Sequence, residues 1–472
     1  MPIIYSARWV LPIASPLIEN GAVAVDNSMI SGVGTRNEII SRFPDSRIED
    51  FGQAAILPGL VNAHTHLELT VMRGFLEREE GNFFAWLRKL TVARMTMTPE
   101  DVLVSATCGA IEATRAGITC VADASSAATE AMKALRQVGM RGVVYQESFG
   151  PDPKLAAENV AKLREQISSM REMENDLVRA GVSPHAPYTV SAPQLELISR
   201  LAIDQKLPVM MHAAESQAEK LFMLEGRGVF AESLSARGIQ WQAPGVSTIQ
   251  YLSHHGIFET KPLLAHCINV DHADLDLIMQ SGTGIAHCPK SNAKLGHGRA
   301  PFAQFIAQGL NVGLGSDSVA SNNICDLLEE ARFATLLSRT DRGISPTVRE
   351  GSMYSDINET LRALPDGRVN APVAAEQALF AATLGGARAV GLDNQIGALV
   401  EGMQADIAVV SLQGVHQQPV NNPADALIFS SSGRDVLLTM VAGREIYRDG
   451  KMSGVDEVES RSQIQRARTR ME

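Results

Sequence analysis

The stretch "LPGLVNAHTHLEL", residues 57–69, decides how this chain folds. It reads as a buried β-strand, an apolar run that opens on Pro58-Gly59 and carries His64 and His66, one residue apart, near its end. Residues i and i+2 of a strand point to the same face, so the two imidazoles project side by side. Two neutral imidazoles a few ångströms apart suit a single metal ion; a structural pair at a strand end is the plain alternative.

Seven further strand-like runs follow: "ITCVAD" (118–123), "RGVVYQE" (141–147), "VRAGVSPH" (178–185), "LPVMMHAAE" (207–215), "PLLAHC" (262–267), "GTGIAHCP" (282–289) and "LNVGLGSD" (310–317). Segments with helical spacing lie between them. "TPEDVLVSATCGAIEATRAG" (98–117) opens on Thr-Pro-Glu and stops at a glycine, which suits a helix start and end. Strands alternating with helices predict βα units and a parallel sheet. Eight such units closed on themselves make an α/β fold of the TIM-type (β/α)8 kind, with its chemistry at the C-terminal strand ends. Both ends of the chain read as β, with "GAVAVDN", "MISGVG" and "AAILPG" before residue 60 and "ADIAVVSL" (405–412) and "DVLLTMVAGREIYRDG" (435–450) near the other end. One small β-sandwich domain built from both termini is therefore expected. The division is 1–55 and 396–455 for its two halves, 56–395 for the barrel, and 456–472 for a charged tail, read as a solvated terminal helix or a frayed end.

Composition bounds the function. With 45% hydrophobic and 20% charged residues the chain is an ordinary globular protein, and 472 residues leave room for a barrel with additions. The net charge of −11 argues against a nucleic-acid surface. No apolar run approaches the roughly 18 residues of a membrane span. The opening "MPIIYSARWVLPIASPLIENGAVAVDN" has no basic start and is broken by Arg8 and two prolines, so it reads as a strand hairpin rather than a leader. Five widely spaced cysteines without a C-x-x-C form the pattern of a reduced, cytoplasmic protein. The matching expectations are a small-molecule substrate, no nucleic-acid or membrane partner, and a monomer or homodimer.

The last residues of the eight strands are His64 with His66, Asp123, Glu147, His185, His212 with Glu215, His266, His287 and Asp317. Six of the eleven histidines stand there; His254, His255, His272, His297 and His416 lie off the strand ends and read as surface or packing residues. Random placement would scatter histidines over helices and loops, so the concentration favours the metal reading. Taken in order, "PGLVNAHTH", "SPHAPYTVS", "HAAE", "LLAHC", "AHCPKSN" and "GLGSDSVASNN" resemble the signatures of the amidohydrolase superfamily, over about residues 56–395 and both flanks. They most resemble the branch of cytosine, guanine, methylthioadenosine/S-adenosylhomocysteine and aminodeoxyfutalosine deaminases, with the triazine chlorohydrolases.

That resemblance implies one divalent metal ion, zinc first with iron or manganese also suited, held by His64, His66, His212 and Asp317. Dinuclear relatives bridge two ions with a carboxylated lysine at the end of strand 4; here that strand ends in "SPHAPY" without a lysine. A divalent ion lowers the pKa of a water it holds to roughly 7. Asp317 would then act as general base. Glu215, in a His-x-x-Glu relation to His212, would protonate the ring nitrogen beside the attacked carbon, and His266 would stabilise the tetrahedral intermediate. The implied reaction replaces the 6-amino group of a 5′-modified adenine nucleoside and releases ammonia.

His185, Glu68, Trp86 and Glu147 are the candidate substrate contacts, with Phe84 beside Trp86 in the segment after strand 1; simple loop packing is the alternative for the aromatics. His287 is expected to support the "HCPKSN" loop with Ser291 and Asn292. Methylthioadenosine/S-adenosylhomocysteine deaminases share "MRG" and the later "WL" but carry a ribose-binding glutamate where this chain has Met95. "HTHLEL" followed by "GNFFAWL" instead resembles the aminodeoxyfutalosine deaminases, which makes aminodeoxyfutalosine the favoured substrate. A methylthioadenosine/S-adenosylhomocysteine or other base deaminase is one alternative, and a chlorohydrolase or cyclic amide hydrolase on the same scaffold is another. A non-catalytic metal-binding scaffold has no reason to keep the ligands, the acid and the histidine together.

Overall fold

The structure is a computed structural model that describes residues 1–340 and 372–471. The chain opens with five short strands: β1 (Ile3–Val10), β2 (Ile18–Asp26), β3 (Met29–Thr35), β4 (Arg47–Asp50) and β5 (Ala54–Pro58). The eight expected strands follow, six within their predicted stretches and β7 and β8 running past theirs by two residues and one: β6 (Leu60–Thr65), β7 (Ile118–Ser125), β8 (Arg141–Ser148), β9 (Val178–Pro184), β10 (Met210–Ala213), β11 (Leu263–His266), β12 (Gly284–His287) and β13 (Asn311–Leu314). Four more come near the end: β14 (Ile407–Ser411), β15 (Val436–Val441), β16 (Arg444–Arg448) and β17 (Lys451–Met452).

β6 to β9 form one parallel sheet in chain order, and β10 to β13 form another. Single parallel bridges, Val182 to Val209 and Thr65 to Asp317, join the two sheets at both seams. Every residue of β6, β7 and β8 is buried, which is why these strands read as continuous apolar runs: a parallel sheet is covered on both faces. The helix Pro99–Arg115 begins as its sequence predicts, with Thr98 and Asp101 in a capping box and Pro99 in the first turn. Its residues Ala106, Ala110 and Ala113 pack in the same core as Leu60 and Ile118.

The terminal strands are hydrogen-bonded as one nine-stranded sheet, in the order β17-β16-β15-β14-β5-β1-β2-β3 with β4 on β1. β5 lies antiparallel to β14, with Ile56 opposite Val409 and Leu57 opposite Ala408, so one strand pair ties the two ends of the chain together. Val10, Val23 and Ile56 from the N-terminal half share a core with Ile407, Leu438 and Met440 from the other. Gly59 carries the chain from this sheet into β6 through a space no side chain fits: a Cβ there would stand 2.1 Å from Thr119 Cγ2. Across the same junction Arg141 of β8 is buried against Asp406, with contacts of 2.9 and 3.0 Å.

The charged tail departs from expectation. Residues Glu457–Met471 form a helix that docks rather than frays. Ser460, Ile464, Ala467 and Met471 recur at helical spacing and give it one narrow apolar face. Ala467 is completely buried, and Ile464 and Met471 pack in a cluster with Leu69, Met72, Trp86 and Leu90. Arg115–Glu457 and Arg470–Asp101 ion pairs fasten the helix to Pro99–Arg115. High charge density masks this stripe in the sequence. Among the described residues no helix is long and apolar enough to cross a membrane.

Candidate active site

The ends of the two parallel sheets deliver His64 in β6 and His66 just after it, His212 in β10 and Glu215 just after it, His266 at the end of β11 and Asp317 after β13. Backbone conformation helps aim them. Ala214, His266, Cys267 and Asp317 all have φ between 46° and 75°, a left-handed region that costs non-glycine residues of order 1–3 kcal/mol and persists only where surroundings hold it. The Asp317 amide donates to the His64 carbonyl at 2.9 Å, and the Ala214 and Glu215 amides donate to the buried Glu219 carboxylate at 2.8 and 2.9 Å. Gly315 lets β13 close on β6: a Cβ there would meet His64 Cβ at 2.9 Å.

The nitrogens His64 Nε2 and His66 Nε2 lie 3.5 and 3.6 Å from Asp317 Oδ1, and His66 Nε2 is 3.2 Å from His212 Nε2. His212 Nδ1 is taken by the His185 carbonyl at 2.9 Å, and His66 is hydrogen-bonded to the Ala124 backbone. Both rings therefore carry their proton on the outer nitrogen and turn a lone pair inward, the arrangement that orients metal-ligating histidines. Two lone pairs 3.2 Å apart repel unless a cation lies between them. His64 Nε2 is also buried with no hydrogen-bond partner. Burial holds His64, His66 and His212 below the usual histidine range, His64 to about 3. Burial opposes the charge on Asp317, but the imidazoles that face it, His64 first with His266 and His66, outweigh it and hold its carboxyl well below the usual range. Three neutral imidazoles and one carboxylate are the protonation states that a divalent ion requires, so the residues fit the metal.

Around this cluster a second set of groups is fixed. Asp317 Oδ2 accepts from Ser291 Oγ at 2.5 Å and Ser321 Oγ at 3.1 Å. His266 Nδ1 pairs with Asn292 Oδ1 at 2.8 Å, which leaves Nε2 3.6 Å from Glu215 Oε1. His297 Nε2 reaches the same oxygen at 3.4 Å, with its side chain 5% exposed. Burial pushes the Glu215 carboxyl up, but His266 and His297 outweigh it and bring it down to about 2. Burial works against a charge on His266, and Glu215 and Asp317 more than offset that.

The cluster forms the floor of a cavity of about 500 Å³ whose walls include Phe83, Phe84, Trp86, Tyr188 and Phe230. His185, Trp86 and Glu147, expected from the sequence to face substrate, all line it. Glu68 does not. Its carboxylate is buried and turned to the end of β7, where it accepts from Ser125 Oγ at 2.6 Å, Ser126 Oγ at 3.0 Å and the Ala127 amide at 3.2 Å. A side chain one position past a strand end is free to point to the neighbouring strand, and sequence spacing does not say which way it turns. His287 is buried, its ring stacked 4.9 Å from Phe302 and its Nδ1 without a hydrogen-bond partner.

Two residues of the site, one lining the cavity and one behind Glu215, escaped the sequence. Arg94 lies 3.2 Å from Glu147 and 3.7 Å from Glu68, and its guanidinium sits 5.2 Å over Phe149. His297 stood off the strand ends and read as an ordinary surface residue. The loop that returns it to Glu215 has no periodicity to betray it.

Comparison with known proteins agrees with this geometry. The 5-methylthioadenosine/S-adenosylhomocysteine deaminase of Syntrophobacter fumaroxidans is 31% identical over 446 residues, 93% of this chain and 92% of that protein. A zinc-bound adenosine deaminase from Xanthomonas campestris superposes with a TM-score of 0.81 at 26% identity, over 99% of this chain and 98% of its own. A zinc-complexed atrazine chlorohydrolase from Arthrobacter aurescens shares the fold, with a TM-score of 0.82 at 22% identity over 99% and 100% of the two chains. The model of the amidohydrolase family matches residues 55–446, from β5 through all eight strands that build the site to β16, and the chain belongs to that family.

Proposed function

We propose that the protein is a hydrolytic deaminase that replaces the 6-amino group of a 5′-modified adenine nucleoside, with one divalent ion, zinc first, held by His64, His66, His212 and Asp317. The observation that carries this reading is the inward convergence of those four side chains with Glu215 and His266 beside them, at the floor of an aromatic-walled cavity. The names of the curated relative and of the zinc-bound similar structure, deaminases of adenine nucleosides, support it. We read the two four-stranded sheets as halves of one (β/α)8 barrel over residues 56–395, of which 341–371 lie outside the described residues. The absence of a lysine at the end of β9 favours a single ion.

The ion, when bound, supplies the Lewis acidity that brings a water's pKa to roughly 7. The remaining chemistry belongs to the side chains. Asp317 is held ionised and accepts the proton of the attacking water, while Ser291 and Ser321 fix its other oxygen. Glu215 is ionised in the free protein, so it takes up a proton during the reaction before passing it to the ring nitrogen next to C6. His266 presents Nε2 beside Glu215, placed to stabilise charge on the tetrahedral carbon's oxygen. One proton of the attacking water reaches the ring nitrogen through Glu215 and the other passes from Asp317 to the amino group, so that ammonia departs as the tetrahedral carbon collapses, while Trp86 and Phe84 stack on the base and exclude water.

Among these nucleosides aminodeoxyfutalosine is favoured. Met95, at the position of the ribose-binding glutamate of methylthioadenosine/S-adenosylhomocysteine deaminases, is 80% exposed. Substitution of Glu215 tests the assignment. Glu215→Gln is expected to lower kcat for ammonia release by about 10²–10⁴-fold with metal content unchanged; an undiminished kcat would remove Glu215 from the mechanism.

A further inference from the structure

We propose that a second cavity, separate from the histidine cluster, is a binding site for a diphosphate, free or carried on a nucleoside. The cavity holds about 670 Å³ and shares no lining residue with the first. Four parts of the chain meet around it: the helices Pro99–Arg115 and Leu327–Ser338, the turn that leads into β15, and the start of the tail helix Glu457–Met471. Each brings one arginine: Arg115, Arg332, Arg434 and Arg461. The site does not depend on the reaction proposed above.

The charges around this cavity do not cancel. Its four carboxylates are all taken. Glu112 is gripped by Arg73, and Glu329 by Lys290 at 2.8 Å, two cations that do not line the cavity. Glu457 pairs with Arg115 at 2.9 Å. Asp326 accepts from the Leu328 and Gly433 amides at 3.0 and 2.7 Å, and burial pushes its carboxyl up. His416, also in the lining, faces Asp435 at 3.2 Å. Three guanidiniums are left over. Arg332 is half-buried, and the carbonyls of Ile428 and Ser431 accept from its Nε, at 2.8 Å, and its Nη2. Those neutral acceptors fix the fork without offsetting its charge. Arg434 and Arg461 are exposed, and among the described residues none of the three forms an ion pair.

In a protein of net charge −11, three uncompensated guanidiniums around one cavity make a local positive field that draws in an anion. A guanidinium fork matches a phosphate with two parallel hydrogen bonds. Two joined phosphates carry enough charge to offset three guanidiniums, which a single carboxylate does not. A cavity of this size also accepts a nucleoside attached to them.

Isothermal titration calorimetry of the zinc-loaded full chain, at low ionic strength, tests the site with inorganic pyrophosphate and with uridine 5′-diphosphate, which has no adenine to occupy the histidine cluster. The comparison is with Arg434→Ala/Arg461→Ala, which removes two exposed side chains and leaves the carbonyl bonds of Arg332 intact. One diphosphate per chain is expected to bind the wild type, and Kd should rise about tenfold or more in the double variant, the size of a lost charge-assisted hydrogen bond. The two probes separate the sources: tighter binding of pyrophosphate assigns a free diphosphate, tighter binding of uridine diphosphate a nucleotide, and either upholds the site. No binding of either probe overturns it. So does an equal Kd in the double variant, which would place the anion elsewhere, the metal ion included.

Discussion

Glu215 is held from two sides, by His266 at 3.6 Å and His297 at 3.4 Å. Removing one of these partners loosens the acid without touching the metal ligands. His297→Ala is expected to lower kcat about tenfold, the scale of one charge-assisted hydrogen bond, with zinc content by elemental analysis unchanged; a kcat within twofold of wild type would take His297 out of the site. Glu330 offers a second check, on stability rather than turnover. Its side chain is completely buried, accepts from Asn322 Nδ2 at 2.5 Å and the Lys290 amide at 3.2 Å, and burial pushes its carboxyl up to about 8. The folded state therefore binds this proton more tightly than the unfolded chain, so its contribution is full below the ordinary glutamate range and is lost as pH rises toward 8. Glu330→Gln should gain stability relative to wild type as pH goes from 5 to 8, by at most about 1.4 kcal/mol per pH unit; urea melts at several pH values would show it, and a difference that does not grow with pH would refute it. At this scale the sequence was legible where chemistry and strand geometry coincide. His64 and His66 follow from alternation along a strand, and His212, Glu215, His266 and Asp317 from their place at strand ends, while their division into ligands, acid and base came from the resemblance alone. Glu68 and His297 were misread because rotamer direction and loop path decide their contacts, and neither leaves a periodic trace.

The elements around the site are braced by one that looks dispensable. The helix Glu457–Met471 places Ala467, Ile464 and Met471 against the cluster that includes Trp86 and Leu90, directly behind one wall of the cavity. Ala467→Glu forces a carboxylate into that cluster, and an unpaired buried charge is expensive. A loss of at least about 2 kcal/mol in denaturant unfolding is expected, together with a raised KM, because Trp86 loses its support. Unfolding and KM both matching wild type would mean that the helix does not dock. The eight parallel strands were legible from their apolar runs and turn residues, and the helix Pro99–Arg115 from its Thr-Pro start. The docking of the tail was not, since four small or apolar positions in a charged helix carry little signal until a partner surface is known. The one-sheet pairing of the termini depends on a contact between β5 and β14, separated by most of the chain, which no local pattern encodes.

At the scale of the whole molecule the terminal sheet and the parallel strands share a junction built on a buried ion pair. Arg141 and Asp406 are 2% and 1% exposed, and Asp406 also accepts from the Ala442 amide at 2.8 Å. Breaking such a pair leaves an uncompensated buried charge. Asp406→Ala is expected to cost about 3–5 kcal/mol in denaturant unfolding; a loss below about 1 kcal/mol would show that the junction does not join the two parts. The architecture thus anchors the strands at one end on the terminal sheet and exposes their other ends to the cavity, where the charges needed for hydrolysis converge. The most direct test of that account is ammonia release by the zinc-loaded protein from aminodeoxyfutalosine, methylthioadenosine, S-adenosylhomocysteine and adenosine, beside the His64→Ala variant. Release from at least one 5′-modified adenine nucleoside, abolished in the variant, is the predicted result; silence from metal-loaded protein across all four would contradict it.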